Sequence, residues 1–138
     1  MKDFLAQEAL IDSPETAVIV TDQGFVPATG QDTLDLPPDA GLDDLQAALD
    51  TTAIVRIAFP GFADGRGFTL ARRLRLMGFA GHLRAHGHVL ADQYAMARRC
   101  GFDDVEISAD LAARQSQDQW QNRANWQAHD HRSRLLRA

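Results

Sequence analysis

The sequence predicts an α/β fold: a single domain with a mostly parallel sheet of about four strands, built from successive βαβ units and followed by a polar C-terminal helix. Three observations carry that prediction. Short apolar runs rich in β-branched residues, Ala17–Val20 and Ala53–Phe59 above all, have the character of buried strands. Other segments repeat their apolar residues at helical spacing. The two kinds of segment alternate, and strands separated by helices of about ten residues imply right-handed crossovers and a mostly parallel sheet. At 138 residues the chain suffices for one domain with a real core and is too short for two ordinary ones.

The elements follow in order. Ala17-Val18-Ile19-Val20 reads as a first strand. Thr21–Ala40, rich in Asp, Gly, Thr and Pro and including Pro37-Pro38, reads as a long connection with room for an edge hairpin at Gln23-Gly24. Leu42, Leu45, Ala48 and Leu49 then share one helical face, with Asp43 and Asp44 in the first turn, where the helix dipole favours acids. Ala53–Phe59 is the strongest strand and ends at Pro60. Leu70, Leu74 and Met77 form the stripe of a helix expected from near Thr69 to Gly78, with Arg72, Arg73 and Arg75 largely off it.

His82–His86 reads as a short strand. Leu90, Tyr94 and Ala97 mark the next helix, with Asp92 in its first turn, Arg98 and Arg99 in its last, and Gly101 as its stop. Phe102–Ile107 is a further strand. Ser108 then caps a final glutamine-rich helix to about Trp126, and His129–Ala138 reads as a polar tail. The domain thus divides into an acidic N-terminal part (1–52), a core carrying the motifs (53–107), and a C-terminal helix and tail (108–138).

Charge is distributed unevenly. Residues 1–52 hold eleven acids against a single lysine, residues 53–99 eight arginines against two aspartates, and residues 100–138 five arginines against six acids. A basic centre attracts an anionic ligand or an acidic partner, unless the acidic front folds over it and neutralises it. Nucleic acid is disfavoured by the pI near 5.4 and by the lack of an aromatic stacking platform beside the arginines. No run approaches the roughly 18 apolar residues of a membrane span. The N-terminus lacks a signal-peptide core, and the single cysteine, Cys100, has no internal disulfide partner, so a cytoplasmic protein is expected. Trp120 and Trp126 leave room for a homodimer.

In a parallel sheet the strand-to-helix loops gather beyond the carboxyl ends of the strands, where ligands bind. That sorting selects Asp64 and Arg66 after one strand, Arg84, His86 and His88 around the next loop, and Ser108 and Asp110 after the last, with Asp92 and Gln93 leaning to the same edge. Gly65 and Gly67 permit a close backbone approach, and amides near Thr69 face outward at a helix N-terminus. Arg66 and Arg84 offer planar N–H donors to an oxyanion. The structural alternative is an Asp64–Arg66 clamp that merely closes the loop. His86 and His88 form an H-x-H pair without further metal ligands, so no metal is expected; either imidazole, or Asp64 or Asp92, is a candidate proton carrier. Cys100, at a helix C-terminus, reads as a buried packing residue.

The run from Phe59 through Asp64-Gly65-Arg66-Gly67 to Arg75, with Gly81–Gln93 and Arg99–Asp103, resembles the DUF934 family of bacterial proteins. The resemblance covers roughly residues 53–107. It implies a role beside assimilatory sulfite reduction, because members are described as oxidoreductases or accessory proteins that accompany sulfite reductase. It carries over at Asp64, Gly65, Arg66, Gly67, Arg84, Asp92 and Gln93, and departs at His86 and His88. The chain lacks the cysteines that siroheme or an iron–sulfur cluster would require. Two expectations follow. One is an accessory protein that binds an oxyanion or an acidic redox partner such as sulfite reductase at the loop edge. The other is an oxidoreductase that holds a phosphate-bearing flavin or nicotinamide there; the residues themselves identify no cofactor.

Overall fold

The computed structural model describes residues 17–43 and 45–129. The chain forms β1 (Val18–Thr21), β2 (Gly24–Pro27), β3 (Leu34–Leu36), α1 (Gln46–Thr51), β4 (Ile54–Phe59), α2 (Arg66–Leu76), β5 (His82–Gly87), a 3-10 turn (Ala91–Gln93), α3 (Tyr94–Cys100), β6 (Asp104–Ile107), α4 (Ala109–Arg114), α5 (Gln117–Gln121) and a 3-10 turn (Trp126–His129). The six strands lie in the order β2-β1-β6-β5-β4-β3. β3 to β6 are mutually parallel, while β1 runs antiparallel to both β2 and β6. Each connection from β3 to β6 moves one strand in the same direction, so right-handed crossovers place α1, α2 and α3 on one face.

The α/β class and the parallel core stand as expected, but the sheet is mixed and has six strands rather than about four. Two short strands account for the difference. The turn before Gly24 does close a hairpin, and β2 forms the sheet's edge. There the Phe25 N–H donates to Gln117 Oε1 at 2.8 Å, which caps a group that would otherwise template another strand. At the opposite edge lies β3, three residues inside the proline-rich connection, too short to show a period. The single C-terminal helix is also corrected. Ser108 does cap α4 through its hydroxyl, but the helix breaks at Gln115, whose backbone is extended, and restarts after Ser116. Residues 1–16, Asp44 and the tail beyond His129 lie outside the described residues.

Strand alternation decides which face is apolar. Val55, Ile57, Phe59, Leu83, Ala85, Val105 and Ile107 are all buried and join Leu70, Ala71, Leu74, Tyr94, Ala97 and Phe102 in one core. Glycine matters at two points in this packing. A Cβ on Gly67 would lie 2.5 Å from the Phe59 ring, and Gly87, with φ +119°, sits against the Phe59 carbonyl. Both tryptophans serve the domain itself. Trp120 is fully buried, donates to the Gln115 carbonyl at 3.0 Å and packs edge-to-face on Tyr94. The Arg98 guanidinium lies 4.8 Å from the centre of the Trp126 ring. Asp22, in the hairpin turn, gathers Tyr94, Arg98 and Trp126 around one carboxylate. Burial alone would raise its pKa, but the bonds from Arg98 and Tyr94 prevail and lower it.

Candidate functional site

The β4–α2 loop closes on itself. Arg66 donates from Nε and Nη2 to both carboxylate oxygens of Asp64, at 2.9 and 2.7 Å, and its backbone N–H also reaches Asp64 Oδ1. The Arg66 hydrogen bonds hold the Asp64 carboxyl at about 2, below the usual carboxylate range. Through this clamp α2 begins at Arg66, three residues before the expected Thr69 cap, and Thr69 becomes an exposed first-turn residue. Gly65, with φ −89°, needs no glycine-only conformation. The carboxylate thus occupies the side of the guanidinium that an oxyanion was expected to take.

The next loop is stapled to this one. His88 donates from Nδ1 and from its backbone N–H to the Phe59 carbonyl, and its ring packs edge-to-face on Phe62. Gln93 accepts from the Leu90 N–H and donates to the Phe62 carbonyl. Asp92 pairs with Arg123 at 2.8 Å and reaches neither histidine. Ser108 is consumed as a cap and Asp110 pairs with Arg114. Among the described residues no group of three His, Cys, Asp or Glu side chains is arranged to hold a metal.

The strand read at His82–His86 stands, but it holds Arg84 and His86 away from the loop edge where the site reading grouped them. Both belong to β5 and alternate with Leu83 and Ala85, so they project from the face opposite the core. There they join residues the site reading overlooked. Arg84 is buried and forks onto Asp104 at 2.8 and 3.1 Å; Arg56 bridges Asp35 and Glu106; His82 bonds Asp104 at 2.8 Å. Burial would raise the Asp104 pKa, but the His82 and Arg84 bonds lower it, and the Arg56 bond likewise lowers Asp35. His86 lies 3.8 Å from Glu106, and burial, then the Arg56 charge, lowers its pKa.

A histidine whose folded pKa is depressed loses stability as pH falls from the unfolded value near 6.5 toward the folded one. His86→Gln should therefore flatten the fall in unfolding midpoint between about pH 7 and pH 5. A slope unchanged from wild type would assign that fall to other groups.

A model of the DUF934 family, described as bacterial protein of unknown function, matches residues 33–134. The chain belongs to the DUF934 family. No curated protein and no solved structure matches it. The match extends on both sides of the core that carries the motifs, and it takes in β3, α4 and α5.

In this DUF934 protein the outer surface of α2 and α3 carries charges that no described residue neutralises. Neither helix contains an acidic residue. Arg75 and Arg98 are engaged inside the fold, but Arg72, Arg73 and Arg99 are exposed and have no carboxylate within 4 Å among the described residues. Arg72 reaches across to the buried Cys100 sulfur at 3.6 Å, which places the two helices side by side. Beside the arginines, Leu76 is 82% and Met96 47% exposed. The acidic front therefore neutralises Arg56 and Arg98, through Asp35 and Asp22, and leaves this face basic among the described residues.

Proposed function

We propose that this protein is an accessory protein of assimilatory sulfite reduction, acting by docking an acidic redox partner rather than by performing chemistry at its loop edge. The observation that carries the proposal is the α2–α3 face, where exposed guanidiniums with no carboxylate partner among the described residues stand beside large exposed apolar side chains. Apolar side chains supply affinity at the centre of an interface, and charges around them steer encounter and select a partner of opposite sign. The clamps and staples at the loop edge support the same reading, since they already use the polar groups of Asp64, Arg66, His88 and Gln93. The sulfite connection rests on what the family resemblance implies.

A gentle pull-down of the tagged chain from cells growing on sulfate, with an absorption spectrum of the recovered material, tests this role. Co-purification of sulfite reductase with no chromophore on this chain is expected. A chain recovered alone with stoichiometric flavin would replace the accessory role by an oxidoreductase.

A further inference from the structure

A groove runs between the β3–α1 connection and α2, away from the α2–α3 seam. Its smaller part, about 240 Å³, is lined by Pro38, Asp39, Ala40, Arg66, Thr69, Leu70 and Arg73. A second hollow, about 560 Å³, shares Arg73 and is lined also by Leu42, Asp43, Gln46, Leu76 and Met77. The charged groups lie on opposite walls: Arg66 and Arg73 on the helix, Asp39 and Asp43 on the connection. Arg66 is already held by Asp64. Arg73 and Asp39 have no ion-pair partner within 4 Å among the described residues.

This arrangement selects against simple ions. A lone anion drawn to Arg73 meets Asp39 and Asp43, and a lone cation drawn to Asp39 meets the arginines. A ligand carrying both charges satisfies both walls. The smaller cavity lies below the roughly 300–1,000 Å³ of drug-sized sites, on the scale of a small organic zwitterion. The larger one adds an apolar wall of Leu42, Leu76 and Met77.

We propose that this groove binds a free amino acid as its zwitterion, the α-carboxylate on Arg73 and Thr69, the α-ammonium on Asp39, and an apolar side chain toward Leu42, Leu76 and Met77. The groove shares Arg73 and Leu76 with the edge of the docking face, while Arg72, Met96 and Arg99 lie outside it. Because the groove is shallow, binding falls in the millimolar range.

The test is an NMR titration of the isotope-labelled full chain with L-methionine, N-acetylmethionine and methioninamide. Saturable amide shifts at Ala40, Thr69 and Arg73 are expected with methionine, and at least ten-fold weaker binding with each single-charge analogue. Arg73→Gln and Asp39→Asn should each weaken methionine at least five-fold with unchanged unfolding midpoints, since both side chains are exposed. The proposal is overturned if methionine gives no saturable shift at tens of millimolar, if either analogue binds as well as methionine, or if both folded variants bind as wild type does.

Discussion

Alanine at position 75 will lower the unfolding free energy by about 3–5 kcal/mol, and lysine there will recover less than half of the loss. The sequence placed Arg75 largely off the apolar stripe of its helix, but its guanidinium is the junction of the sheet's amino edge. Nη1 donates to the carbonyls of Phe79 and Gly81, Nε and Nη2 to that of Gly101, and Nη2 also to Asp103. Asp103 in turn accepts from the Leu83 N–H. One planar cation thus joins the end of α2, the start of β5 and the end of α3. Its stem passes where a Cβ on Gly101 would lie, 2.6 Å from Arg75 Cγ, so position 101 is glycine for this reason as well as for its φ of +113°.

Removing the side chain strands three carbonyls at a place where water reaches only part of the surface. A lysine has one nitrogen and cannot fan donors to all of them. Urea denaturation measures the effect, with the midpoint shifted and the slope preserved. An Arg75→Ala midpoint equivalent to less than about 1 kcal/mol would show that the junction contributes little.

Reversing two charges on the α2–α3 face, Arg72→Glu with Arg99→Glu, will weaken binding of the acidic partner by about 100-fold while leaving stability within about 1 kcal/mol. Both side chains are exposed, and among the described residues their one bond to the fold is the long Arg72 contact with the Cys100 sulfur. The partner's carboxylates would meet like charge instead of guanidinium, and such juxtapositions cost several kcal/mol at an interface. Arg66→Ala provides the contrast. Because Asp64 engages that arginine, its loss should alter the start of α2 more than it alters partner binding. Equal binding by wild type and by the folded double variant would move the interface elsewhere.

Much of the fold was legible because its strongest signals are local. Val55, Ile57 and Phe59 announce a strand, Leu70 and Leu74 a helix, and Gly101 a stop, whatever the partners turn out to be. β3 was not legible, since Leu34-Asp35-Leu36 becomes a strand only by pairing with β4. The start of α2 was missed because the decisive contact, Asp64 to the Arg66 N–H, is a side-chain bond that no apolar spacing reveals.

The misplacement of Arg84 and His86 has a different cause, since a signal was present. His82, Arg84 and His86 alternate with Leu83 and Ala85, as Asp104 and Glu106 do with Val105 and Ile107. Parallel strands covered by helices on both faces read as continuous apolar runs. Alternation at period two marks one polar face, and it turns those residues to that face rather than to the loop edge. The basic stripe was visible from the start, but only the structure separates the arginines that hold the fold, Arg75 and Arg98, from those left facing outward.

The most direct test of the docking claim is a calorimetric titration of the purified wild-type chain with purified sulfite reductase at about 50 and about 300 mM salt. Debye screening shortens the reach of exposed charges across that range. Saturable binding that weakens at least ten-fold at the higher salt is the predicted result. No binding at low salt, or binding indifferent to salt, would contradict a basic face that recruits an acidic partner.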